Sequence, residues 1–163
     1  MILYQPIFDP YHCSYRLLLL LNNLNKTEIE IDKLKIYDFI LLYPSFLHKM
    51  SLPQAYTHIR RSIKINEYNN TNAEKIVFAQ LNKIQNVSLN ELASTSVIES
   101  KRLKNGYVKR TELLLPDNIL KSITNQSGEK MKILEFIKNE LDNIPVSSLK
   151  ERSGLIEYRY DKV

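Results

Sequence analysis

Two apolar blocks near the start of the sequence predict two helices. The first block, residues 11–24, is apolar through most of a turn, and Asp9 and Pro10 before it are typical of a helix cap and a first helical position. The second block, residues 30–43, has apolar side chains three and four residues apart on one face and more on the other face. A helix that is apolar all round lies in a core, a membrane or an assembly, and Pro44 ends this one.

Further along, the apolar positions are sparser and predict shorter elements. Ser88 followed by Glu91 is a capping-box pattern, so a helix is expected to start there after a break at residues 85–87. Asn105-Gly106 predicts a turn into a strand. The predicted helices span about 53–65, 73–84, 88–95, 129–141 and 145–152, with a third segment at 96–104 and a strand at 155–163.

The order of these central elements is typical of a helix-turn-helix followed by a wing. Leu89, Leu92 and Leu103 are expected to fill its core, and Gly106 lets the chain turn sharply into a basic strand. We therefore predict a mainly α protein with small β wings. A helical partner-docking region, residues 1–66, would precede a winged-helix-like region, residues 73–163, with a C-terminal helix and strand.

Composition favours a soluble globular protein of one compact domain, or two very small ones. The 163 residues are 44% apolar and 25% charged, and a single cysteine, which can form no internal disulfide, fits a reducing cytoplasm. The N-terminus lacks the features of a signal peptide. Both apolar blocks are too short to span a membrane, and the second carries Asp38, whose first expected buried partner is Arg16.

Positive charge is concentrated in one short segment. The net charge of +5 is equalled by the five cations of residues 101–110, which are Lys101, Arg102, Lys104, Lys109 and Arg110. These side chains could contact phosphates, form a solvated wing, or dock an acidic protein. The preceding segment offers Ser96, Glu99 and Ser100 and lacks the Asn, Gln and Arg side chains that read base edges.

No arrangement of residues predicts an enzyme. His12 and Cys13 invite a small Cys–His hydrolase interpretation, but adjacent helical residues point about 100° apart and cannot meet each other. The three histidines show no metal-ligand spacing, and there is no Gly-rich phosphate loop. We therefore expect no catalytic residue, no metal and no cofactor.

The N-terminal residues carry a family resemblance. The strings FDPYHCSYRLLLLL (8–21) and IEIDKLKIYDFILLYPSFL (29–47) resemble the middle-component proteins of bacterial ABC-three-component conflict systems, which are similar to the small middle subunit of Lamassu anti-phage defence. The matching features are Asp9-Pro10, Tyr11-His12, Arg16 and the string that ends at Pro44. Beyond residue 47 the resemblance is only architectural.

This resemblance implies a non-enzymatic, cytoplasmic adaptor. Its expected partners are an SMC-like ABC ATPase that senses DNA and an effector, commonly a nuclease, that is held inactive until foreign DNA is detected. The first two helices carry more apolar surface than a small domain readily hides, which marks an interface. The residues expected to dock partners are Tyr15, Leu18, Leu19, Tyr37, Phe39 and Leu42. The alternative is a winged-helix transcription regulator that binds DNA by itself.

Overall fold

The computed structural model describes residues 5–24, 26–65 and 73–156, and most of this chain is helical. Its α-helices are α1 (Pro10–Asn23), α2 (Ile31–Leu42), α3 (Glu74–Ser94), α4 (Ser100–Lys104), α5 (Asp117–Thr124), α6 (Gly128–Asn139) and α7 (Val146–Ser153). The strands are β1 (Ile29–Glu30) and β2 (Tyr107–Val108), and short 3-10 helices cover Pro6–Phe8, Pro44–His48, Gln54–Ser62 and Leu141–Asn143. The mainly α class with a small β component is confirmed.

Helix α1 begins where the sequence predicts. The backbone N–H of Tyr11 donates to the Asp9 carboxylate at 2.8 Å, and Pro10 occupies the first helical position, where a missing N–H costs nothing. The chain becomes extended at Leu24 and forms β1 before it enters the second helix.

Helix α2 is the centre of the described structure. Residues 33–41 are all buried, including Lys33, Lys35 and Asp38, so the helix has no solvent face. It packs against α1, α3, α6 and α7, and Pro44 directly follows its C-cap, Tyr43. The predicted all-round burial is therefore confirmed, and the covering elements come from this chain.

The central region differs from the predicted winged helix because α3 is one continuous helix of 21 residues. The predicted break at 85–87 contains neither Gly nor Pro, and Leu81, Leu89 and Leu92 on either side of it are all buried in the same core. The Ser88 side chain does not cap a helix, since its hydroxyl donates to the Pro10 carbonyl at 3.0 Å. The predicted break at 85–87 and the separate helix at 88–95 are therefore wrong.

The β structure is confirmed at residues 107–108, but its pairing differs from a wing hairpin. Strand β2 pairs antiparallel with β1, with Ile29 opposite Val108, and Arg110 forms a single bridge with Ile98. Gly106 turns the chain into β2 with a φ of +88°, which favours glycine. Residues 112–115, the ELLL stretch that the sequence predicts to follow within the strand region, form no strand. The winged-helix assignment is therefore not confirmed.

The C-terminal half contains one helix that the pattern analysis missed and two that it predicted. Helices α6 and α7 are confirmed, and Gly154 ends α7 in a left-handed conformation, while α5 was not predicted. The weak helix at 53–65 is a 3-10 helix. Most of the predicted strand at 155–163 lies outside the described residues. One hydrophobic cluster contains residues from both predicted regions, and the boundary between the regions stays a prediction.

Candidate partner-binding surface

The six predicted docking residues lie in or against the protein's own core. Leu19, Tyr37 and Phe39 are at most 1% exposed, and Leu18 is also buried. Tyr15 and Leu42 are half-buried and pack against the same cluster. The expectation that this chain cannot shelter its first two helices is therefore wrong for the four buried side chains. The docking role of all six stays a prediction, and for those four it would require α1 or α2 to leave the core.

The Arg16–Asp38 pair expected from the sequence is confirmed. Arg16 Nε lies 2.6 Å from one Asp38 carboxylate oxygen, and its Nη2 donates to the other at 3.2 Å. Gln85 Nε2 donates to that second oxygen at 2.8 Å. Asp38 has no exposed surface, and a buried charge is tolerated only when it is paired and hydrogen-bonded. This cluster fastens α1, α2 and α3 together and is structural.

A second buried carboxylate, Asp142, fastens α2 to the C-terminal half. Its oxygens accept from Tyr37 Oη at 2.9 Å and lie 3.1 Å from Lys33 Nζ and 2.8 Å from Lys26 Nζ. Burial alone raises the pKa of Asp142, but the hydrogen bonds from Lys26, Lys33 and Tyr37 outweigh it and leave the pKa lowered. Sequence spacing offered no signal for this cluster, because Asp142 lies more than 100 residues from Lys33 and Tyr37.

The His12–Cys13 dipeptide is split between the surface and the core. His12 is exposed, whereas Cys13 has no exposed surface. Burial, with a further contribution from the Asp38 charge, raises the pKa of the Cys13 thiol to about 11. A thiol held in its neutral form is a poor nucleophile. Within the described residues, no group of three or more His, Cys, Asp or Glu side chains could hold a metal ion.

The five cations of the basic segment are not equally available. Arg102 pairs with Glu28 at 2.5 Å and lies over the Tyr107 ring, and Lys109 pairs with Glu99 at 3.0 Å. Arg110 is half-buried and donates to the Leu113 carbonyl at 3.0 Å, and burial lowers the pKa of its guanidinium. Lys101 and Lys104 are exposed.

Exposed apolar side chains follow the same segment. Leu114 is 90% exposed, Leu113 is 47% exposed and Tyr107 is 36% exposed. Thr111 holds the chain here by donating to the Val97 carbonyl and by accepting from the Leu113 backbone N–H at 3.3 Å. A cleft of about 370 Å³ adjoins this region, and its lining includes Leu21, Leu24, Ile29, Lys109, Arg110 and Glu112.

We call Lys101, Lys104, Tyr107, Leu113 and Leu114 together the 101–114 surface. The backbone that carries these side chains is anchored on both sides. The Glu99 N–H donates to the Lys109 carbonyl, and the Thr111 N–H donates to the Val97 carbonyl. The sequence predicted a contact role for the two lysines but not for Leu113 and Leu114. The two leucines are typical of the interior of a strand, and only the structure shows that they form none.

Comparison with protein families accounts for nearly the whole chain. Residues 2–161 match the family described as ABC-three component (ABC-3C) system Middle Component 5. The chain belongs to this family. The resemblance to middle components is therefore confirmed, and it covers far more than residues 8–47. A similarity to Lamassu is not shown. No curated protein and no solved structure matches the chain.

A middle component is one part of a multi-protein ABC system and therefore has partner components. No helix within the described ranges 5–24, 26–65 and 73–156 has both the length and the apolar character needed to cross a bilayer. Among the described residues, Leu114 is the most exposed of the large apolar side chains and directly follows a second exposed leucine, so we take the 101–114 surface as the candidate partner-binding site.

Proposed function

We propose that this middle component is a non-enzymatic adaptor in a bacterial anti-phage defence complex similar to Lamassu. It would bridge an SMC-like ABC ATPase that senses DNA and an effector, such as a nuclease. Family membership supports a role in an ABC system with partner proteins. The SMC-like character of the ATPase and the nature of the effector rest on the resemblance noted in the sequence.

The observation that carries the adaptor proposal is the exposure of Leu113 and Leu114 on a well-anchored segment. A single exposed leucine is ordinary, but Leu113 and Leu114 are two exposed leucines in succession, which marks an apolar surface available to a partner. Tyrosine is enriched in protein interfaces, and the lysines fit a polar rim. The buried clusters around Asp38 and Asp142 hold the scaffold that presents this patch.

Co-expression tests the proposal directly. The middle component is produced with the ATPase and effector components of its own system, and the purified mixture is analysed by size-exclusion chromatography with mass measurement. We expect a stoichiometric complex that contains the middle component and both other proteins. A middle component that elutes alone, with neither protein bound at micromolar concentration, would contradict an adaptor function.

The Leu114→Asp variant locates the contact. Because Leu114 is 90% exposed, the substitution should leave the fold intact and weaken the complex. Ile76→Asp is the matched control, since Ile76 is also well exposed and lies near the other end of α3 from the segment that leads into α4. Equal loss of binding in both variants would place the contact elsewhere.

A further inference from the structure

The ladder between β1 and β2 stops where its register would place one more hydrogen-bonded pair. Ile29 lies opposite Val108, so the next pair of that kind in the same antiparallel register would join Thr27 to Arg110. Thr27 lies in a bend before β1 begins, and this pair does not form. The two chain segments that carry Thr27 and Arg110 both line the cleft of about 370 Å³ instead.

The main chain of Arg110 faces this unpaired edge. Its bridge to Ile98 has main-chain hydrogen bonds between the two segments on either side of it. In an antiparallel pair of this kind, the two residues point their own N–H and C=O groups away from each other. The N–H and C=O of Arg110 therefore point away from Ile98. Like the N–H of Glu112, they have no hydrogen-bond partner in the part of the chain that the structure describes.

The charges that line the cleft leave one carboxylate available. Glu112 is exposed and forms no ion pair within the described ranges. The other charged side chains of the lining already have a polar partner, and these are Lys26, Glu28, Glu99, Lys109 and Arg110. A cation that enters the cleft would therefore gain a partner, whereas a further carboxylate would lie beside three glutamates.

We infer that the main-chain edge from Arg110 to Glu112, here called the 110–112 edge, binds an extended segment of a partner component by β-strand addition. The segment carries a Lys or Arg that pairs with Glu112, and an apolar side chain that enters the cleft against Leu21, Leu24 and Ile29. This inference rests on the proposed adaptor function and specifies the mode of contact.

An extended segment fits the 110–112 edge better than a helix does. An unpaired strand edge is a template for main-chain pairing with another chain, and such pairing supplies affinity while a neighbouring pocket supplies specificity. The cleft volume lies within the range of about 300–1,000 Å³ typical of ligand clefts. A helix could supply the cation and the apolar side chain, but its main-chain groups are already bonded within the helix.

Hydrogen–deuterium exchange of the co-expressed complex, read out by mass spectrometry at single-amide resolution, tests the pairing. The amides of Arg110 and Glu112 should exchange rapidly in the isolated middle component and at least about tenfold more slowly in the complex. Lys64 and Ile65 are controls outside this cleft, because their amides also lack a partner within the described residues. Slow exchange of the 110–112 edge in the isolated chain would show that its own chain covers this edge, and would overturn the inference.

A proline at position 112 removes the donor without breaking a described internal bond. Glu112→Ala removes the same side chain and keeps the N–H, so it should weaken the complex about threefold through the lost charge. Glu112→Pro should weaken it about fivefold more, as expected for one net hydrogen bond. Lys64→Pro is the matched control and should bind like the wild type, since it removes another unpaired N–H after an extended residue, Ile63.

Circular dichroism checks that each variant is folded. If Glu112→Pro proves unfolded, Glu112→Lys tests the same contact without altering the backbone, and should weaken the complex at least about tenfold at low salt.

The outcomes separate the inference from the function on which it rests. If the wild-type chain forms no complex at all, the adaptor function is wrong and this inference goes with it. If the complex forms but leaves the exchange of Arg110 and Glu112 unchanged, only the inference is overturned. Equal binding by folded Glu112→Pro and Glu112→Ala would likewise exclude main-chain pairing at this residue.

Discussion

At the scale of single residues, the buried charges explain why this small protein holds together around a helix with no solvent face. Asp38 interrupts an apolar run, which already signals that a cation must lie close by, and Arg16 was the only nearby cation on the preceding helix. The guanidinium matches the carboxylate with two contacts, as expected for this pair of groups. The hydrogen bond from Gln85 to Asp38 could not be predicted from the sequence, because only the packing of α3 brings the Gln85 amide to this carboxylate.

Replacing Asp38 by Asn should destabilise the protein strongly. The change leaves Arg16 buried without its countercharge, and breaking one partner of a buried pair costs about 3–5 kcal/mol. Urea denaturation followed by circular dichroism measures the effect. Glu135→Gln, at an exposed position of α6, is the control and should change the free energy of unfolding by less than about 0.5 kcal/mol. Equal effects in the two variants would show that the cluster is not a major source of stability.

Asp142 should make the protein sensitive to acid. Its pKa in the folded state lies below the ordinary value of 3.8, so the unfolded state binds more protons in the acidic range. The contribution of this carboxylate is therefore fully present above pH 3.8 and is lost as the pH falls through the lowered folded-state value. We expect the free energy of unfolding to fall less steeply below pH 3.8 in Asp142→Asn than in the wild type. Identical slopes would argue against the lowered pKa.

Cys13 should be unreactive in the folded protein. Burial keeps the thiol out of solvent and raises its pKa to about 11, so almost no thiolate exists at pH 8. A disulfide exchange reagent added at pH 8 should label Cys13 only at the rate of unfolding, and at once in denaturant. Rapid labelling of the native protein would favour the Cys–His hydrolase hypothesis, which Cys13→Ser tests further through its effect on biological activity.

At the scale of elements, sequence patterns predicted helix positions better than helix lengths. The Asp9 cap and Pro44 mark real ends because each imposes a local backbone constraint. Ser88 and Glu91 form the same pattern as a capping box, yet α3 continues through them, since tertiary packing of Leu81 and Leu89 outweighs a weak local preference. Helix α5 was missed because it is short and most of its side chains are exposed.

A proline inside α3 distinguishes a continuous helix from the predicted break. Val87→Pro removes a backbone donor and places the ring against the preceding turn, which costs about 3 kcal/mol or more inside a helix but little at a helix start. Val87 is 52% exposed, so lost packing contributes little, and Val87→Ala controls for the side chain. We expect lower stability and lower helical ellipticity only for the proline variant. Unchanged values would indicate a turn at this position.

At the scale of the whole molecule, apolar composition alone does not distinguish core from interface. The Leu, Phe and Tyr side chains of α1 and α2 predict docking residues because they carry more apolar surface than a small domain readily hides. The structure shelters most of them with α3, α6 and α7, which lie far away in sequence. Leu113 and Leu114 are also leucines, yet both are exposed. Only the arrangement in space shows which apolar side chains are buried in the core and which are exposed.

This division predicts that stability and partner binding can be lost separately. Phe39 is 1% exposed and its ring lies 5.1–5.6 Å from those of Tyr43, Phe46 and Phe78, so Phe39→Ala should cost about 3–5 kcal/mol of stability. Leu113→Ser/Leu114→Ser should change stability by less than about 0.5 kcal/mol per site and weaken partner binding at least tenfold.

Binding must therefore be measured per folded molecule. Denaturation curves give the folded fraction of each variant, and titration with the co-expressed partners gives the dissociation constant. For Phe39→Ala we expect a dissociation constant that equals the wild-type value once the unfolded fraction is removed, because Phe39 lies away from the 101–114 surface in the core. The opposite result would indicate that α2 contacts the partner. In that case the folded Phe39→Ala protein would bind more weakly than the wild type, and the leucine variant would bind equally well.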